Sequence, residues 1–138
     1  MPTRNDLKEL SEHKLKIIKC FFMQKEYDEV VQNSGYVIEF GLKSAICKHE
    51  DIDEYPCEQK YLIHNLTRLI KFANLQEKFD LKKTTSADFF ANWSLITTWT
   101  PQFRYQPIGT SNKEHAKQVI NAIDQKDEGV FPWVKSNW

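Results

Sequence analysis

A chain of 138 residues and 16.4 kDa can bury a core without cross-links, but it is too short for a full (β/α) barrel or for a doubly wound cofactor domain with a substrate domain. Nineteen Lys and Arg stand against nineteen Asp and Glu; zero formal charge argues against a generic nucleic-acid coat or a polybasic membrane binder, though not against a local basic patch. With 41% hydrophobic and 28% charged residues, 4 Gly and 5 Pro, the composition is that of one globular domain over 1–138, not a disordered chain or a turn-rich β-sandwich.

Leu7, Leu10, Ile17, Ile18 and Phe21 recur at helical spacing and predict a first helix over 6–24, with Asp6 as its N-cap. Val30, Val31, Ile38, Leu42, Ala45 and Ile46 predict a second over 27–48. Gly35 and Gly41 lie beside that stripe. Glycine costs about 1 kcal/mol against alanine inside a helix, so two of them suggest close approach of another helix. Glu39 and Lys43 fall one turn apart on a polar side. Residues 49–60 read as an acidic loop; His49, Asp51, Asp53 and Cys57 mix hard and soft donors and match no common metal site.

A third helix is expected over 61–75, on Leu62, Leu66, Leu69, Ile70 and Ala73, followed by a charged connector, Gln76 to Lys83. Thr84, Thr85 and Ser86 offer caps for a fourth helix over 87–99, rich in Phe89, Phe90, Trp93, Ile96 and Trp99 and ended by Pro101. Residues 101–110 read as irregular. Ser111-Asn112-Lys113-Glu114 has the pattern of a capping box for a fifth helix carrying Ala116, Val119, Ile120 and Ile123, with Gly129 as its stop. The aromatic tail 130–138, with Phe131, Trp133 and Trp138, is too apolar for a solvated extension. No strand pair or hairpin turn stands out, so an all-α bundle of about five helices is expected.

Cys20, Cys47 and Cys57 are odd in number and lack C-x-x-C spacing, which disfavours a disulfide framework and points to reduced thiols. The early run Ile17-Ile18-Lys19-Cys20-Phe21-Phe22-Met23 is broken by a lysine and has no cleavage-site pattern, and no stretch nears the roughly 20 apolar residues of a membrane span. A soluble, cytoplasmic protein is expected. No nucleophile triad, glycine-rich phosphate loop, metal motif or cofactor motif is present.

Three stretches in order carry a resemblance: Ser34-Gly35-Tyr36-Val37-Ile38-Glu39-Phe40-Gly41-Leu42-Lys43-Ser44-Ala45-Ile46, then His64-Asn65-Leu66-Thr67-Arg68-Leu69, then Trp99-Thr100-Pro101-Gln102-Phe103-Arg104-Tyr105-Gln106-Pro107 ahead of a capped helix. Together they resemble the HEPN family (higher eukaryotes and prokaryotes nucleotide-binding domain) over about residues 6–128, through a Glu-x-x-x-Lys helix, a His-polar-Leu helix start and an Arg-Tyr-Pro-like turn. The resemblance implies an up-and-down helical bundle, commonly dimeric. It also implies either a ribonuclease of toxin–antitoxin, phage-defence or RNA-processing systems, or a non-catalytic partner of a small nucleotidyltransferase, or a nucleotide binder. Nuclease members carry an Arg, four to six intervening residues and a His. The residues that far beyond Arg4, Arg68 and Arg104 include no histidine, and there is no other arginine. No catalytic residue is therefore assigned.

Lys43, His64, Arg68, Arg104 and Tyr105 are the candidate ligand-binding residues. His64 and Arg68 share a helix face and could hold an anion at a helix start; alternatively the histidine packs the start and the arginine is solvated. Arg104 could grip a phosphate or stack on a base beside Tyr105, or pair with a carboxylate such as Glu39. Lys43 either joins that cationic pocket or is a solvated helix lysine. The expected function is a non-catalytic nucleotide- or RNA-binding module, homodimeric, in a bacterial toxin–antitoxin or phage-defence pair. The alternatives are a divergent HEPN ribonuclease and a structural dimerisation domain.

Overall fold

A computed structural model describes residues 1–138. The first helix, α1 (Arg4–Met23), starts earlier than its apolar stripe implies. Thr3 is its N-cap: the hydroxyl accepts the Asp6 N–H at 3.0 Å, and the Asp6 carboxylate accepts the Thr3 N–H at 2.8 Å. Asp6 thus closes a reciprocal box from the third helical position instead of capping, and these Thr3 bonds hold its carboxyl below the usual range. A turn with Lys25 at φ 63° leads into α2 (Tyr27–Glu50), which ends on Asp51 in the left-handed conformation. The two long helices form a hairpin that buries Leu7, Leu15 and Ile18 with Val30, Val31, Val37, Ile38 and Leu42. Ser11, fully buried, donates to the Val37 carbonyl.

A 3₁₀ helix (Gln59–Tyr61) interrupts the loop after α2. The third helix is shorter than expected. α3 (Leu66–Phe72) is capped by Asn65, whose side-chain oxygen accepts the Arg68 N–H at 3.0 Å. The expected connector is a helix, α4 (Gln76–Thr85). Only Phe79 among its residues is buried, so it has no apolar stripe to reveal it. α5 (Ala87–Ile96) is capped by Ser86 and ends before Pro101. The hydroxyls of Thr97 and Thr98 turn back onto the Ser94 and Leu95 carbonyls there. Pro101 instead opens a second 3₁₀ helix (Pro101–Tyr105), where its missing N–H costs nothing.

α6 (Lys113–Asp124) is capped by Asn112, which accepts the His115 N–H at 2.8 Å. The expected Ser111–Glu114 box does not form, because the Ser111 N–H points elsewhere. Asp28, at the start of α2, accepts the N–H groups of Ser111 at 2.8 Å and Gly109 at 2.7 Å, with Gly109 at φ 89°. This clasp fixes the loop one residue out of register for the box. The expected tail is a seventh helix, α7 (Val130–Lys135), with Val130, Phe131 and Val134 buried on its own bundle. The protein is all-α, as expected from the stripes, with two more helices than the five anticipated; the one β-type pairing is an isolated Thr3–Glu54 bridge.

α2 is the central helix, in contact with α1, α3, α6, α7 and the second 3₁₀ helix. Its glycines account for that crowding. A Cβ on Gly41 would lie 2.6 Å from Val134 of α7, and a Cβ on Gly35 would overlap the indole ring of Trp99. The close neighbour of Gly35 is thus a single aromatic side chain, not a helix backbone. Trp99 is buried there, donates its indole N–H to the Gln32 carbonyl at 2.8 Å, and meets Tyr36 edge-on at 4.8 Å. Alanine in a helix normally gains about 1 kcal/mol over glycine. Gly35→Ala is expected to do the opposite and lose about 1–3 kcal/mol by overpacking. A urea midpoint at or above that of the wild type contradicts this.

Candidate functional site

Glu39 lies on the inward side of α2, 1% exposed, and not on the polar side expected for it. The apolar neighbours Val37, Ile38, Gly41 and Leu42 surround it in sequence. A buried carboxylate must be paired and hydrogen-bonded to stay ionised. Lys43, one turn on, places its Nζ 2.8 Å from Glu39 Oε1, and its side chain is only 12% exposed. His64, in the approach to α3, places Nδ1 3.0 Å from both Glu39 oxygens. An ionised carboxylate only accepts, so this bond is made with Nδ1 as the donor, and Nε2 is the ring nitrogen that Glu39 does not engage. The Lys43 ammonium also sits 5.3 Å from the centroid of the Tyr55 ring. Burial first, then the neighbours Cys47, Glu39 and Tyr61, push the Tyr55 phenol far up, and its hydroxyl donates to the Tyr61 carbonyl at 2.8 Å.

The His64 side chain is half exposed and lines a cleft of about 320 Å³. One wall is His64, Asn65, Leu66 and Thr67 at the start of α3; the other is the corner after α5, with Thr97, Trp99, Thr100, Pro101 and Gln102. That volume is at the small end of ligand pockets. Trp99 connects the cleft to the core, since the same ring packs on Gly35. What the cleft offers is an oriented imidazole, threonine hydroxyls and an aromatic edge.

Two of the five sequence candidates, Lys43 and His64, meet through Glu39. The other three do not join them. Arg68 is exposed, with its guanidinium 5.9 Å from the Phe72 ring centroid. Arg104 is exposed, lies outside the lining of the cleft, and makes no carboxylate pair. Its guanidinium stacks 4.8 Å from the neighbouring Tyr105 ring and donates to that hydroxyl at 3.2 Å, a bond that raises its pKa. The wall residues Thr97, Trp99, Thr100 and Gln102 are not among the candidates. The only signal for them is the proline corner itself. Glu39 has a clearer one: a lone acid inside an apolar run is either an interruption or a buried pair.

No family model, curated protein or solved structure matches the chain. No helix is long and apolar enough to cross a membrane.

Proposed function

We propose that this chain is a non-catalytic, HEPN-type module that binds a nucleotide or an RNA end in the cleft between the start of α3 and the corner after α5. The observation that carries the proposal is His64, oriented by the buried Glu39 and facing a cleft sized for one small ligand. Further support comes from where the stretches resembling HEPN fall. Glu39 and Lys43 of the first bond to each other, Glu39 bonds to His64 of the second, and the third begins with Trp99, Thr100 and Pro101 on the opposite wall. A nucleotide would accept or donate hydrogen bonds at His64 Nε2 and the threonines of the two walls. A homodimer and a small nucleotidyltransferase partner in a toxin–antitoxin or phage-defence pair complete the proposal, as the resemblance implies.

One feature favours a second function, a divergent ribonuclease. An imidazole whose Nδ1–H is fixed by a carboxylate is set up as a general base through Nε2. Titration calorimetry with adenosine and uridine nucleotides, on wild type and His64→Ala, tests the binding module. Binding in the wild type, weakened at least tenfold by the substitution, is expected. A folded protein that binds no nucleotide at millimolar concentration refutes it. Cleavage of total RNA that disappears in His64→Ala establishes the ribonuclease in its place.

A further inference from the structure

Away from that cleft, cations gather where the first turn of α1 meets the end of α2 and α7. Arg4 and Lys8 lie one turn apart on α1, and Arg4 and Lys48 line one cleft of about 340 Å³. Lys8 and Lys135 each place their ammonium 5.9 Å from the centroid of the Trp138 ring. Lys135 has a partner, Glu12, at 3.7 Å. Arg4, Lys8 and Lys48 take part in none of the five ion pairs of the chain. Asp51 and Asp53 line the same cleft, yet neither carboxylate comes within 4.0 Å of these cations. Asp53 meets Arg4 only through its backbone carbonyl. The Nε of Arg4 is buried with no acceptor at all. Lys8 is held below its ordinary pKa by burial and then by the charges of Arg4 and Lys48.

Arg4, Lys8 and Lys48 outnumber the two carboxylates, Asp51 and Asp53, that line this cleft, and no carboxylate closes an ion pair with any of the three. Like charges held together repel, and a polyanion laid across them relieves that repulsion while releasing its counterions. The half-buried Trp138 ring adds a flat apolar surface beside the cations, the combination that single-strand binders use. We propose that this α1–α2–α7 face is a phosphate-binding surface for a single nucleic-acid strand, with Arg4, Lys8 and Lys48 on its backbone and Trp138 beside a base. It is separate from the His64 cleft, and it extends the proposed function from a nucleotide to the strand that carries it.

The test is fluorescence polarisation of a labelled oligouridine with the full chain, over a series of salt concentrations. Wild type, Lys8→Glu/Lys48→Glu and His64→Ala are compared, with circular dichroism confirming that each is folded. The double reversal is expected to weaken strand binding at least tenfold. It should also flatten the dependence of log Kd on log salt by about 1.4, at about 0.7 for each phosphate of a single strand that is no longer neutralised. His64→Ala is expected to leave that slope unchanged. No strand binding at low salt, or equal binding by the double reversal, overturns the inference. Strand binding abolished only in His64→Ala places the strand in the cleft, and overturns it while leaving the proposed function standing. Displacement of the strand by inorganic phosphate at equal phosphate concentration shows a lone-anion site and also overturns it. Failure of mononucleotide binding alongside strand binding that depends on Lys8 and Lys48 refutes the cleft and keeps this surface.

Discussion

A chain shortened to end at Gly129 is expected to lose its cooperative fold. Residues 130–138 supply Val130 and Val134 with no exposure and Phe131 at 5%, and Trp133 packs 5.5 Å from Phe89. Each large side chain removed from the core forfeits about 1.5–3 kcal/mol. Three of them together are worth roughly 5–9 kcal/mol, which is on the scale of the whole stability of a domain. Their removal also opens α2 at Gly41, where no Cβ exists to cover the backbone. The measurement is the urea unfolding curve, followed by near-ultraviolet and far-ultraviolet circular dichroism. A shallow, non-cooperative transition with helical signal but little aromatic signal is expected. An unchanged midpoint would mean that α7 is an ornament of the bundle. The tail, too apolar for a solvated extension, covers its own α2, with Val134 against Gly41.

Glu39→Ala is expected to cost about 3–5 kcal/mol, because it strands the largely buried Lys43 ammonium without its counter-ion. The face of the Tyr55 ring is the one remaining attractive neighbour, and a ring is a weak substitute for a carboxylate. Glu39→Gln keeps the volume and one acceptor for Lys43 or His64, so a smaller loss is expected. Lys43→Met at the same site separates charge from packing. If stranded charge is what destabilises Glu39→Ala, the double variant Glu39→Ala/Lys43→Met recovers part of the loss. Urea midpoints at an unchanged slope measure all four proteins. A loss below about 1 kcal/mol in Glu39→Ala would mean that Lys43 simply swings into water, and that the His64 geometry is held by something else.

The long hairpin is legible in the sequence because both its helices carry an apolar stripe that repeats for several turns. Val30, Ile38, Leu42 and Ile46 mark α2 without any knowledge of what they touch. α4 is not legible, since Phe79 is its one buried residue and no apolar stripe repeats along it. The start of α6 is displaced by a bond from far away in sequence: Asp28 takes the Ser111 N–H, and no local pattern encodes a residue so distant. The site divides in the same way. Lys43 beside Glu39 follows from one-turn spacing, whereas His64 beside Glu39 requires that α3 start against α2. Arg104 stands out in the sequence because its neighbours are prolines and aromatics. Its actual partner, Tyr105, is adjacent in the chain and leaves it facing solvent.

The placement of α7 also bears on how this chain is made. The α1–α2 hairpin consists of near-neighbour contacts and can close as soon as residue 50 is free. Its α2 face around Gly41 then waits for Val134, the residue that covers it. At about 5–20 residues per second, synthesis of the intervening stretch takes roughly 4–17 s. For that interval the growing chain carries a finished helical hairpin with one wet apolar side. Maturation of this protein is therefore timed by translation speed, and slow codons between the two segments would lengthen the window in which a chaperone, or another nascent chain, meets that side first.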